Sequence, residues 1–168
     1  MNKIIIVTGY FGAPICETAQ KLAEENAFAY LSLDDEIQRR DGRSITRLVM
    51  MNGEHGYRNQ EYEILNEIHE DPKRFCGEND GLVIACGDGV LYDEMSRDIA
   101  IANELVLAGE DISLEDLWTQ AKAIPDTYHA FMYFGSDEEK RQLFEGYITR
   151  QRLLFENTRK QLIKEEQS

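Results

Sequence analysis

Cysteine is scarce in this sequence, and the three present, Cys16, Cys76 and Cys86, form no Cys-x-x-Cys pair. Their odd number and scattered spacing argue against a disulfide framework or a zinc site, and a reducing cytoplasm is the expected compartment. The three histidines, His55, His69 and His129, show no metal-ligand spacing, so no metal site is expected. Positive charge is also in short supply: 18 Lys and Arg stand against 32 Asp and Glu, for a formal net charge of -14. Such a surface repels phosphate backbones and anionic lipid headgroups at long range, which makes nucleic acid and membranes poor partners. Long apolar runs are missing as well. The stretch Ile4-Ile5-Ile6-Val7 is too short for a signal-peptide core and ends in a glycine turn, and no other stretch approaches the length that spans a bilayer. Neither an internal repeat nor a low-complexity linker interrupts the chain.

What is present suits one globular domain over residues 1–168. At 42% hydrophobic and 30% charged, the composition can close a core, and a chain of this length buries roughly 70% of its unfolded surface. Lys3 to Thr8 reads as a buried strand, followed by a glycine turn and a helix from about Pro14 to Ala29, with Ala19, Leu22, Ala23 and Phe28 at helical spacing. Pro14 suits a first helical position. Phe28 to Leu33 reads as a second strand. Helices are expected at Ile37 to Met51 and Tyr57 to Glu70, separated by the turn Asn52-Gly53-Glu54-His55-Gly56. Leu82 to Cys86 is a continuous apolar run closed by Gly87-Asp88-Gly89, the pattern of a strand covered on both faces. A helix-like Asp93 to Asn103, a short strand at Leu105 to Ala108, and helices at 114–123 and 137–164 complete the pass. Strands alternating with helices imply an α/β three-layer sandwich around a parallel sheet.

A strand, then Gly9-Tyr10-Phe11-Gly12-Ala13, then a helix is the frame of a phosphate-binding loop, whose amides and helix N-terminus receive an anion. With the motifs that follow, the chain resembles the shikimate kinases, P-loop kinases that phosphorylate shikimate with ATP and magnesium. The resemblance is good over roughly residues 3 to 120 and looser beyond. It implies a hydroxyl-binding and catalytic role for Asp34, within Leu33-Asp34-Asp35-Glu36-Ile37. It implies a carboxylate grip by Arg58 supported by Glu61, and a substrate-lining strand end at Gly87, Asp88 and Gly89. It also implies that Arg150 is a second carboxylate-binding Arg. A lid-like region is expected at about 122–136. The ligand implied is a small anionic hydroxy-acid.

Departures from the family pattern accompany these matches. In G-x-x-x-x-G-K-[ST] the second Gly falls at Pro14, the Lys at Ile15 and the Ser or Thr at Cys16. The degenerate nucleotide loop is thus Gly9, Gly12, Ala13, Pro14, Ile15 and Cys16, without the phosphate-binding charge or the magnesium-binding hydroxyl. Pro14 removes a loop amide, and Glu17 adds a negative charge nearby. Ser32 replaces the first Asp of the family's D-x-D pair. Ile124-Pro125-Asp126-Thr127-Tyr128-His129 offers no lid Arg, and Asp88 replaces a middle Gly.

The leading expectation is therefore a shikimate-kinase-like protein that binds a hydroxy-acid with phosphoryl transfer impaired or lost. An active kinase with an atypical loop, using ATP and Mg, stays open, as does a non-catalytic interaction module with an unknown protein partner. Plainer roles stay open too. Asp34 suits a helix cap, Arg58 with Glu61 a surface ion pair, Arg150 a solvated helix face, and Cys16 a small buried residue under the loop. The aromatic group Tyr128, Phe131, Tyr133 and Phe134 suits either ordinary packing or a plug for the nucleotide cleft.

Overall fold

A continuous β-branched run has no polar side to offer water, so both of its faces must be covered. Lys3–Gly9 is such a strand, β1, with Ile4 to Val7 buried. The structure, a computed structural model, describes residues 2–167. The other strands are β2 (Ala29–Ser32), β3 (Gly81–Ala85) and β4 (Glu104–Ala108). All pair in parallel, in the order β2-β3-β1-β4, with Ile6 opposite Ile84 on one side and Leu105 on the other.

The helices are α1 (Ile15–Asn26), α2 (Leu33–Asp41), α3 (Ile45–Glu70), the single turn α4 (Lys73–Cys76), α5 (Glu94–Ala102), α6 (Leu114–Lys122) and α7 (Asp137–Gln167). Side chains alternate across a strand, so successive residues of β1 enter different cores. Ile5 and Val7 pack with Val83 against Ala19 and Ala23 of α1. Ile4 and Ile6 enter the larger core with Ile37, Leu48, Leu65, Phe144 and Phe155 of α2, α3 and α7. Helices therefore lie on both faces of a parallel sheet, as the strand pattern implied.

Serine and aspartate caps start four helices: Ser32, Ser44, Asp93 and Ser113 accept from the amides of Asp35, Arg47, Ser96 and Asp116. These caps explain where the sequence reading goes astray. Ser32 starts α2 at Leu33, which shortens the second strand. Gly42, left-handed at φ 85, ends α2, and Ser44 starts α3, so the helix expected from Ile37 to Met51 is broken at residues 42–44. The break expected at residues 52–56 falls at Gly53, whose φ of 76 and ψ of 168 are not helical and divide α3 into two stretches; Tyr57, Glu61 and Leu65 of the second share the buried side with Leu48 of the first. Because the strands are parallel, the loops after β1, β2 and β3 share one edge of the sheet, where α/β proteins place ligands.

Candidate functional site

The loop after β1 turns sharply at Gly12, whose φ of 98 and close contact with the Leu117 carbonyl exclude a side chain. Four of its amides are bonded within the protein. Tyr10 N–H donates to the Ala108 carbonyl (3.2 Å) and Ala13 N–H to that of Tyr10 (2.9 Å). Phe11 N–H donates to Gln151 Oε1 of α7 at 3.0 Å. Pro14, at φ -80 and ψ 69, is the centre of an inverse γ-turn that brings Ile15 N–H to the Ala13 carbonyl at 2.9 Å. Pro14 thus caps α1 rather than occupying its first turn. Cys16, expected to be buried, is exposed on that turn. Partial loss of hydration raises its thiol pKa, and the nearby Glu17, Asp34 and Asp35 add to the rise.

Asp34 is not a helix cap, since Ser32 takes that role. Its Oδ1 accepts from the Tyr57 hydroxyl at 2.5 Å. Burial pushes the Asp34 carboxyl up to about 6 against the pull of that hydrogen bond, with Asp88 adding to the rise.

Arg58 and Glu61 are not a surface pair. Both are buried, with Arg58 Nη1 donating to Glu61 Oε1 at 2.7 Å. Arg58 Nη2 donates to Glu54 (2.9 Å) and to the Tyr128 hydroxyl (2.7 Å). Among the described residues, Arg58 Nε and Glu61 Oε2 are buried without a hydrogen-bond partner. Burial alone disfavours the guanidinium charge, but Glu61 and the two tyrosines outweigh it and the Arg58 pKa is raised. Burial also raises Glu61, against the attraction of Arg58.

The Gly87-Asp88-Gly89 loop needs its glycines because polar groups crowd them. A Cβ on Gly87 would lie 2.7 Å from the Tyr57 hydroxyl and 3.6 Å from both Asp34 Oδ2 and Glu61 Oε2, and one on Gly89 would collide with Arg58 Nη2. Gly89→Ala is accordingly expected to cost about 1–3 kcal/mol by displacing the guanidinium. Urea unfolding measures this, and an unchanged midpoint would mean that Arg58 has another resting place.

Asp88 faces three donors. His129 Nε2 lies 3.2 Å and Tyr147 Oη 2.6 Å from its Oδ2, and Gln151 Nε2 bonds both its carbonyl (3.0 Å) and its Oδ2 (3.2 Å). Burial pushes the Asp88 carboxyl up, yet His129 and the Tyr147 hydroxyl hold it below the usual carboxylate range. His129, Tyr147 and Gln151 carry no role that their sequence positions imply. No local signal marks them, because they lie 41, 59 and 63 residues from Asp88 along the chain.

Two cavities result. The first, about 370 Å³, lies between the 10–16 loop and Gly87. Asp34, Asp35, Asp88 and Asp126 line it, and no Lys, Arg or His does. The second, about 480 Å³, is lined by Glu54, His55, Arg58, Tyr92, Asp93, Tyr147 and Arg150. Arg150 is exposed there over the Tyr147 ring, so it is both on a solvated face and beside Arg58. Asp34 and the loop residues Gly12, Ala13, Ile15 and Cys16 thus share one cavity, and the two arginines share the other. The Tyr57 and Tyr128 rings, 5.3 Å apart and edge to face, join the two. Among the described residues, no group of three or more His, Cys, Asp or Glu is arranged to hold a metal.

The shikimate kinase family model matches residues 16–165. The bifunctional shikimate kinase/3-dehydroquinate synthase of Thermotoga maritima is 30% identical over 95 residues, 56% of this chain and 18% of that protein. The shikimate kinase of Aromatoleum aromaticum is 24% identical over 119 residues, 71% of this chain and 63% of that one. The chain thus spans less than two thirds of the length of these curated relatives. Among solved structures, the shikimate kinase of Acinetobacter baumannii in complex with shikimate superposes with a TM-score of 0.74 at 19% identity, covering 94% of this chain and 80% of that one. The Bacteroides thetaiotaomicron shikimate kinase gives 0.71 at 18% identity, covering 91% and 81%. At these identities the superpositions establish the fold.

Proposed function

The chain belongs to the shikimate kinase family, and we propose that it binds a small hydroxy-carboxylic acid without transferring a phosphoryl group to it. The observation that carries this reading is the state of the loop after β1. A phosphate loop works by aiming free amides and a lysine at the anion. Here the amides of Phe11, Ala13 and Ile15 are bonded to protein, and position 14 has no N–H. The adjoining cavity presents four aspartates and no Lys, Arg or His. These residues do not fit a triphosphate.

The acid-binding half is supported by Arg58 and Arg150 lining one cavity. A guanidinium offers a carboxylate charge-assisted hydrogen bonds of roughly 1.5–3 kcal/mol each. Asp34 keeps Oδ2 beside Gly87 as an acceptor for a hydroxyl.

Shikimate is the probe. Calorimetry is expected to show binding, and Arg150→Ala, a surface change that leaves the core intact, is expected to weaken it by about tenfold or more. Incubation with shikimate, ATP and magnesium is expected to give no phosphorylated product. Equal affinity in the two proteins removes Arg150 from the grip; absence of heat from the wild type, or steady product formation, overturns the reading.

A further inference from the structure

Resting on the acid-binding reading above, we propose that Tyr128 is a built-in competitor for the acid: its hydroxyl occupies the Arg58 edge that a carboxylate needs, so acid binding displaces it. The guanidinium has five N–H donors. Nη1 is turned to the buried Glu61, and Nη2 is shared between the exposed Glu54 and Tyr128. Gly89 has no side chain, and the space beside it is filled by Arg58 Nη2, with the Tyr128 hydroxyl 3.1 Å from the position a Cβ would take. A neutral phenol oxygen thus stands where a carboxylate oxygen would be the stronger acceptor.

The segment that carries Tyr128 is built to be displaced. Residues 125–135 have, among the described residues, no backbone–backbone hydrogen bond to any other element; those they make are local, from Met132 to His129 and from Tyr133 to Ala130. Side chains hold the segment down instead: Tyr128 on Arg58, His129 on Asp88, and Asp126 on Thr46 at 2.9 Å. Ring contacts add to them, with His129 4.3 Å from Phe11 and Tyr128 5.3 Å from Tyr57. Exchanging a few side-chain bonds for a ligand's bonds costs no sheet or helix. Lifting Tyr128 also opens the way between the two cavities, which brings Asp34 within reach of a molecule held by Arg58.

The test compares shikimate binding to the wild type and to Tyr128→Phe, which keeps the ring and removes the acceptor. Tyr128→Phe is expected to bind about tenfold more tightly, the factor at the low end for one hydrogen bond from a charged donor. Saturating shikimate is expected to speed amide exchange across residues 125–135 of the wild type. An affinity unchanged or lowered by Tyr128→Phe overturns the competitor role. If Arg150→Ala still weakens binding in that case, the acid-binding reading stands without it. If neither the wild type nor Tyr128→Phe binds shikimate at millimolar concentration, both fall.

Discussion

Arg58→Ala is expected to lower the unfolding free energy by about 3–5 kcal/mol, the loss that follows when one partner of a buried ion pair is removed. The Arg58 side chain is 8% exposed and that of Glu61 0%, with 2.7 Å between Nη1 and Oε1. Glu61 Oε2 already lacks a partner, and Asp34 Oδ2 flanks the same side of Gly87. Without the guanidinium, Glu61 must be buried charged and unpaired or take up a proton, and both cost stability. For a chain of this size the loss corresponds to a fall in melting temperature of roughly 10 °C.

Two comparisons separate this cause from simple loss of packing. Replacing both partners with apolar residues, Arg58→Met with Glu61→Leu, is expected to recover most of the stability, because no stranded charge remains. Arg150→Ala is expected to stay within about 0.5 kcal/mol of wild type, since its side chain lies in solvent. Urea midpoints at unchanged slope measure all three. A loss of under about 1 kcal/mol in Arg58→Ala would show that water reaches the pair.

The second large effect is the share of the pH dependence that Asp34 contributes: a stability that falls as pH rises through the weakly acidic range, and that Asp34→Asn removes while the similar fall from the raised Glu61 stays. An unfolded Asp ionises near 3.8; in the fold burial pushes Asp34 up to about 6. Below about pH 4 the carboxyl is protonated in both states and contributes nothing. Between pH 4 and 6 only the unfolded chain ionises, so folding loses about 1.4 kcal/mol per pH unit, or about 3 kcal/mol in all, with no further change above 6.

Asparagine imitates the protonated side chain and still accepts from Tyr57. The stability of Asp34→Asn minus that of wild type should therefore rise across this window and level off above it. Glu36, held down to about 2 by the hydrogen bonds of Arg39 and Arg40, has the opposite sign. It favours folding above its unfolded pKa, and that gain is lost as pH falls towards 2. Asp41 behaves in the same way beside Arg43. Both contributions are common to the two proteins and cancel in the difference. A flat difference curve would mean that Asp34 is ionised in the fold at pH 4.

These experiments concern residues that were legible in the sequence to unequal degrees. Asp34, Arg58, Glu61, Gly87 and Gly89 follow recognisable local segments, and the fold draws them around one glycine loop. The division of Asp34 and Arg58 between two cavities was not legible, because Tyr128 reaches Arg58 from 70 residues away. Nor was the closure of the loop after β1, since the acceptor for Phe11 N–H lies on Gln151, 140 residues on. Pro14 announced a missing amide; that it also turns Ile15 N–H inward depends on its ψ of 69, which no residue type dictates.

Local physics settled the strands and the helix starts. An unbroken β-branched run has to be covered on both faces, and a serine or aspartate oxygen beside free amides begins a helix wherever it occurs. Those are short-range effects, complete within a few residues. The raised carboxyls of Asp34 and Glu61, the hold of Tyr128 on Arg58 and the clasp on Asp88 belong to the assembled molecule alone. Desolvation and charge–charge coupling depend on which distant segments exclude water from a group, and that is known only once the chain has closed around it.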